Sequence, residues 1–500
     1  MVRKMAGFPV LIFLILTGCG LHPPAAERPV WPLGQLQSEI NAVLADPAFA
    51  NAYWGVEIQS LKNGQYFYRR NVHKSFRPAS NLKLLTTGTA LVKLGADFTY
   101  TTCLYRKGPI SNGTLQGDLI IRGSGDPTIT GRFHDGNMLA VFQDWADSLK
   151  AHGIRRIEGR IVGDDNAFAD EIMGEGWAWD YQSDWYAAQI SALSFNDNCV
   201  DILFTPGKAV GDTVRFRLEP PTHYVRVINE VVTAPRHRAK GVFYHRERGK
   251  NIVHVTGSIE IGSPEKRDWF SVENPTWYTA TVFREVLVSR GITVGGPAVD
   301  IDSLKNFGYT QSDSLCVARY RSPDLAQIVR AVNKVSQNLY AELLLRTLGK
   351  VYRNDGSARG GIAVVKHFLA GIGIDTARVA MFDGSGLSHL DMVTPDEMVT
   401  LLRYLYRSPV SNEFLDSLPI AGVDGSLKNR MKGTAAEANV RAKTGYISNT
   451  RSLSGFVTTQ NGELLVFSIL TNNYLVPTSR ANSIQDWICE RLANFSRNPK

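Results

Sequence analysis

Arg77-Pro78-Ala79-Ser80-Asn81-Leu82-Lys83-Leu84-Leu85 is the stretch on which the reading of this 500-residue chain turns. The turn around Pro78 gives way to Leu84, Leu85, Gly88, Leu91 and Leu94, an apolar stripe at helical spacing, so Ser80 opens a buried helix. Residues i and i+3 share a helical face, which brings the Lys83 amine within hydrogen-bonding reach of the Ser80 hydroxyl. A lysine among apolar neighbours loses hydration, its charged form is disfavoured, and the neutral amine can take a proton from serine. The pattern S-x-x-K alone decides little. Ser263-Pro264-Glu265-Lys266 matches it too, but with Pro inside, charges around it and no apolar helix behind it, and it is read as accidental.

Two further motifs lie downstream. Ser336-Gln337-Asn338 falls inside a helical run over 324–348, with apolar residues at Ile328, Val332, Val335, Leu339, Leu343 and Leu344; Ser194-Phe195-Asn196 also fits S-x-N. Lys443-Thr444-Gly445 occurs once, followed by Tyr446 and then a β-hairpin of 453–458 and 464–471 around Gln460-Asn461-Gly462. Each motif alone is common. Their order, S-x-x-K, S-x-N, K-T-G, in helix, helix and strand contexts, is not.

Composition and missing motifs remove the competitors. Hydrophobic residues make up 44% and charged residues 20%, which excludes disordered and multi-span membrane classes. A net charge of +8 comes from 55 basic against 47 acidic residues interleaved along the chain, a mildly basic surface and not a nucleic-acid site. There is no G-x-S-x-G, H-E-x-x-H, phosphate loop or G-x-G-x-x-G. The ten histidines form no ligand-like cluster, so no metal or cofactor is expected, and His389 reads as a loop residue. At the amino terminus Arg3 and Lys4 precede an apolar run, 8–16, too short to span a bilayer, which ends at Leu16-Thr17-Gly18-Cys19. An exported chain follows, with residues 1–19 a lipoprotein-type signal and Cys19 the lipidated residue, or else an ordinary cleaved secretory peptide. Cys103, Cys199, Cys316 and Cys489 are widely spaced, open to disulfides or to buried thiols, and sequence does not pair them.

These motifs resemble those of the active-site serine penicillin-binding proteins and β-lactamases, and more narrowly the D-alanyl-D-alanine carboxypeptidase/endopeptidase branch, the low-molecular-mass class C penicillin-binding proteins. Also similar are Gly117-Asp118-Leu119 with Gly123-Ser124-Gly125-Asp126-Pro127, Gly176-Trp177-Ala178-Trp179-Asp180, Ile190-Ser191-Ala192-Leu193-Ser194 with Asn198-Cys199-Val200, Asp383-Gly384-Ser385-Gly386-Leu387-Ser388, and Leu418-Pro419-Ile420-Ala421-Gly422 with Asp424-Gly425-Ser426-Leu427. They run from about residue 40 to 475. Gln337 departs from the Asp that many relatives carry, and a lipobox is not a general family feature.

Spacing bears on the architecture independently. From Ser80 to Ser336 is 256 positions, more than a single helical lobe needs. Between them the texture turns to short strands, 119–122, 157–163, 214–218 and 252–261, interrupted by one helix-like stretch at 138–152. The expected fold is α/β (α+β): a β-lactamase/transpeptidase-like catalytic domain split into 30–97 and 318–500, with a strand-rich α+β region inserted over 98–317. Strands 54–59 and 66–70, turning at Asn63-Gly64, share a sheet with the carboxy-terminal hairpin and a helix at 479–492.

The resemblance implies the chemistry. Ser80 is the nucleophile, Lys83 its base, and Ser336 a proton relay to the leaving amine. Asn338 holds the substrate amide, Lys443 and Thr444 with Gly445 bind the terminal carboxylate, and the amides of Ser80 and Tyr446 form the oxyanion hole. Asp180 either meets the amino group of the stem peptide's diamino acid or serves as a turn carboxylate. The implied substrates are peptidoglycan stem peptides ending in D-Ala-D-Ala, with water as co-substrate and β-lactams as acylating mimics. A serine β-lactamase and a non-catalytic wall-binding lipoprotein share the motifs; the long insertion and the absence of a compact lobe with a positioned Glu argue against the first, and the complete motif set against the second.

Overall fold

The computed structural model describes residues 33–497; Cys19 and the leader lie outside them. Tyr53–Ser60 turns through Gly64, at φ 75°, into Tyr66–Arg70, a left-handed backbone that glycine adopts without a Cβ clash. That hairpin is completed by the other end of the chain. Tyr53–Ser60 pairs antiparallel with Leu464–Asn472, which pairs with Thr450–Thr458 and then Arg441–Ile447, giving a five-stranded sheet whose edge strand carries K-T-G.

Both faces of this sheet are covered, so its strands are apolar on both sides. Leu465, Phe467 and Ile469 pack with Leu36, Ile40, Ile484 and Ile488 of the helices Leu33–Leu44 and Thr478–Ala493. Val466 and Leu470 face the opposite way, into a helical lobe built from Lys83–Leu94, Leu325–Val335, Asn338–Arg353, Ala358–Gly371, Pro395–Arg407 and Ser411–Ser417. The three sequence motifs meet where sheet and lobe come together.

The region between the two parts has its own core, around Leu119, Phe142, Phe195, Ile202, Val253 and Phe283. Its largest sheet runs Ala298–Asp300, Ile161–Asp164, Asp118–Arg122, Thr101–Lys107, Cys316–Arg321, so the strands entering and leaving it are adjacent and antiparallel. That adjacency lets a long insertion close on itself while presenting both ends to the sheet-and-lobe unit.

Three expectations change. The run over 324–348 is not one helix: Leu325–Val335 ends at Ser336, which is left-handed at φ 63°, and a new helix starts at Asn338. The strand expected at 157–163 is two short ones, Arg156–Ile157 and Ile161–Asp164, in different sheets. A second helix, Pro275–Ser289, was hidden by its β-branched and aromatic content (P-T-W-Y-T-A-T-V-F); its signal was the Asn274-Pro275 start, where the Asn274 side chain accepts from the Trp277 amide. The four described cysteines are free thiols, Cys103 and Cys316 on the paired strands that flank the insertion. No described helix is long and apolar enough to cross a membrane.

Candidate active site

Ser80 lies in a 3-10 turn, Ala79–Leu82, that runs straight into the helix from Lys83. Ala79 immediately before it is left-handed, at φ 47°, a strained conformation for a residue with a side chain. Glycines make the close approaches around it possible. A Cβ on Gly445 would sit 2.1 Å from Ser452 Oγ, 2.8 Å from Pro78 O and 3.0 Å from Ser80 N; one on Gly386 would sit 1.9 Å from Ala79 O. The Asn81 side chain ties the turn to the edge strand by donating to Lys443 O at 2.9 Å.

The i, i+3 spacing brings Lys83 Nζ to 2.9 Å from Ser80 Oγ. Lys83 is fully buried, and Nζ also donates to Asn338 Oδ1 at 2.6 Å and Ser385 O at 2.7 Å. Burial drives its pKa down to about 7, against the opposing pull of Asp383, Glu342 and Asp391. A neutral amine has two N–H bonds, matched by these two carbonyl oxygens, and its lone pair is left facing the serine hydroxyl.

A second lysine–serine contact faces the first. Lys443 Nζ donates to Ser336 Oγ at 2.8 Å and to Thr444 O at 2.9 Å. It is also fully buried, and burial, with the charges of Lys83 and Arg451, holds its pKa well below the usual lysine range. Ser336 reaches it because the chain breaks there: the left-handed turn between two helices swings the hydroxyl out of line. Thr444 Oγ1 lies 2.6 Å from Ser426 Oγ. Along the edge strand the Ala442 amide points out of the sheet to Pro419 O; by alternation the amides of Thr444 and Tyr446 point outward too, Tyr446 on the side where Gly445 meets Ser80 N.

The inserted region enters the site directly. Tyr186 O accepts from Asn338 Nδ2 at 2.7 Å, fixing which way the amide faces, and Trp177 Nε1 donates to Asp383 Oδ2 at 2.9 Å. Asp383 in turn accepts from the amides of Ser385, Gly386 and Ser388, so it shapes the loop whose Ser385 carbonyl holds Lys83. Glu342, fully buried, accepts from the Gly384 amide, with Arg346 Nη1 3.8 Å away; burial and then the charge of Asp383 push its carboxyl up to about 7. Asp180 is exposed in the 3-10 turn Trp179–Ser183, and His389 lies in the Asp383 loop, 3.4 Å from Tyr181 OH. Ser263 and Lys266 lie in the inserted region, in the turn before the strand Lys266–Ser271 and at its start. Asn196 belongs to a 3-10 turn in which it donates to Cys199 O and Asp201 Oδ1. Sequence reading assigned no role to Asn81, Tyr186, Trp177, Asp383, Glu342 or Ser426; only the Gly-Trp, Asp-Gly-Ser-Gly and Asp-Gly-Ser motifs marked some of them. Among the described residues, Asp165, Asp300 and Asp302, in the inserted region, could hold a cation, their ligand oxygens lying within 4.8 Å of one another.

Comparison with known families matches residues 36–495 to one model, that of the D-Ala-D-Ala carboxypeptidase 3 (S13) family. The chain belongs to that family. It is thus a serine peptidase of the D-Ala-D-Ala carboxypeptidase type, with a mixed α/β fold of several sheets. It is 33% identical to a D-alanyl-D-alanine carboxypeptidase of an Actinomadura species over 99% of this chain and 91% of that protein. It is 26% identical to the D-alanyl-D-alanine carboxypeptidase DacB of Haemophilus influenzae, covering 86% and 90%. The crystal structure of penicillin binding protein 4 (dacB) from the same organism superposes with a TM-score of 0.78 at 25% identity, over 91% of this chain and 99% of that one. The same protein complexed with a β-lactam superposes at 0.71.

Proposed function

We propose that this S13 peptidase cleaves peptidoglycan stem peptides ending in D-Ala-D-Ala through an acyl-enzyme on Ser80, releasing D-alanine as a carboxypeptidase and opening cross-links as an endopeptidase. The observation that carries the reading is a buried pair of lysines, each within 2.9 Å of a serine hydroxyl, Lys83 with Ser80 and Lys443 with Ser336. Lys83, with its pKa down at about 7, is available as the free amine and takes the Ser80 proton as the hydroxyl attacks the penultimate carbonyl. The oxyanion collects the amides of Ser80 and Tyr446, a contribution of roughly 3 to 4 kcal/mol per donor. Ser336, in contact with Lys443, relays a proton to the departing amine. Thr444, oriented by Ser426, binds the terminal carboxylate on the Gly445 strand, and Asn338 holds the scissile side of the peptide. Water then hydrolyses the ester.

Further assignments belong to this proposal. Asp180, exposed beside the Trp177 that reaches Asp383, meets the ammonium group of the stem's diamino acid. Residues 30–97 and 318–500 form one catalytic unit around the five-stranded sheet, and 98–317 an inserted one that closes the cleft; the Asn338–Tyr186 bond supports that division. The chain is exported to the cell envelope and held there by a lipid on Cys19, a reading supported by Arg3, Lys4, the apolar run and Leu16-Thr17-Gly18-Cys19. β-Lactams acylate Ser80 because they imitate the dipeptide, a reading supported by the β-lactam complex of the Haemophilus protein.

Mass spectrometry of the soluble chain after penicillin, then after a D-Ala-D-Ala stem peptide, tests the proposal. A penicilloyl adduct on the Ser80 peptide together with released D-alanine is expected. An adduct elsewhere, or none, overturns the assignment of Ser80.

A further inference from the structure

Next to Gln337, on the side of the S-x-N turn away from the lysines' own contacts, the inserted region and the helical lobe enclose a cavity of about 600 Å³. Trp185, Trp269, Arg132, Arg267, Asp197 and Gln337 line it. It is continuous with the catalytic site through the backbone: Gln337 lies between Ser336 and Asn338, and Trp185 precedes the Tyr186 whose carbonyl holds the Asn338 amide. None of the roles assigned to the reaction uses this cavity.

Gln337 and Asp197 brace the wall of the cavity. Gln337 is 2% exposed, and its Nε2 donates to Asp197 Oδ2 at 3.0 Å, which fixes the amide with Oε1 turned the other way. That Oε1 has no accessible surface and no hydrogen-bond partner, so it stays behind the cavity wall and does not face a ligand. Asp197 cannot serve a ligand as a free charge, because it also accepts from Tyr340 OH at 2.6 Å and Arg132 Nη2 at 3.1 Å. Arg267 is likewise paired, with Asp201 at 2.6 Å. The wall is thus polar but charge-balanced, suited to a neutral molecule rich in hydroxyls and amides and not to a free anion. Trp185 and Trp269, centroids 6.4 Å apart and planes at 74°, form an aromatic corner, and Trp269 is 41% exposed. Indole faces carry partial negative charge and pack against the C–H face of a pyranose. The volume falls in the range of small-ligand pockets.

We propose that this cavity is a glycan subsite that takes a sugar ring of the peptidoglycan strand, the ring resting on Trp185 and Trp269 between the paired charges of the wall. The inference rests on the peptidoglycan reading above and extends it: the enzyme recognises the sugar backbone as well as the stem peptide.

The test compares release of D-alanine from a free stem pentapeptide with release from the same peptide carried on the N-acetylglucosaminyl-N-acetylmuramyl disaccharide. In the wild type the disaccharide raises kcat/KM about tenfold or more, mainly through KM. In Trp269→Ala the ratio between the two substrates falls to about one, while penicillin labelling of Ser80 reports that the variant is folded. Separately, the disaccharide alone quenches or shifts wild-type tryptophan fluorescence saturably, and Trp269→Ala loses that response. Equal efficiencies on both substrates, or a saturable response that persists in Trp269→Ala, overturns the subsite. The two readings fail separately: without penicillin labelling of Ser80 the functional proposal falls, and the fluorescence titration still decides the cavity.

Discussion

Lowering the pH is the most direct perturbation of the Lys83–Ser80 pair. Burial brings the Lys83 amine from its ordinary 10.5 down to about 7. At about 1.4 kcal/mol per tenfold, the fall of 10.5 − 7, about 3.5, corresponds to roughly 5 kcal/mol of lost preference for the charged form. A depressed pKa means that the amine is the free base above about pH 7 and protonated below it. The acylation rate of Ser80 by a chromogenic cephalosporin therefore rises through pH 7 and levels off above 8. It falls about tenfold per pH unit below 6, with slope one, as the neutral fraction shrinks. Stopped-flow measurement of acylation between pH 5 and 9 reads this directly. The same depression appears in stability: in the window from about 7 to 10.5 the unfolded chain binds a proton that folded Lys83 does not, so this residue's contribution is present above 10.5 and is lost as pH falls to 7. Lys83→Arg, which cannot deprotonate, removes the acylation limb altogether. A limb centred near 10, or a rate flat from pH 5 to 9, would refute the reasoning that burial makes Lys83 the base.

Gly445→Ala places a Cβ 2.1 Å from Ser452 Oγ and 3.0 Å from Ser80 N; the strand must move by a cost of about 1–3 kcal/mol, and acylation slows about 10- to 100-fold in a protein with unchanged circular dichroism. Asn338→Ala takes an acceptor from Lys83 and the donor from Tyr186 O, and slows acylation by a similar factor at about 1–3 kcal/mol for a buried donor left unpaired; an unchanged acylation constant refutes that role. Arg346→Ala leaves Glu342 buried without its cation, lowering stability by about 3–5 kcal/mol in chemical denaturation, whereas Arg346→Ala with Glu342→Gln recovers part of the loss. Cys19→Ser moves the protein from the membrane to the soluble fraction; unchanged membrane retention removes the lipid anchor.

What could be read from the chain was whatever depends on near neighbours. The i, i+3 spacing of Ser80 and Lys83 dictates their proximity in any helix, and Asn63-Gly64 and Asn461-Gly462 announce their hairpins because glycine there adopts positive φ at no steric cost. The order of three motifs carried the family, and the 256 positions between Ser80 and Ser336 announced the insertion. Helical periodicity misled at Ser336, since apolar residues on both sides kept the helix in phase while the turn that frees the hydroxyl is held by contacts from elsewhere, Lys443 and the inserted region. It also missed Pro275–Ser289, which is buried on several sides and shows no polar face.

The chemistry of the site, by contrast, exists only in the folded molecule. A lysine pKa near 7 needs complete burial, and the oxygens that orient the amine come from Asn338 and Ser385, 255 and 302 positions away. The orientation of Asn338 depends on a carbonyl of the inserted region, and the cavity beside Gln337 is made by surfaces that meet only when insertion and lobe close on each other. Local sequence sets which groups are available and which near pairs form, because short-range geometry follows from bond lengths and helical pitch. Solvation, electrostatic environment and the contacts of distant segments follow from burial, which no local pattern of residues contains.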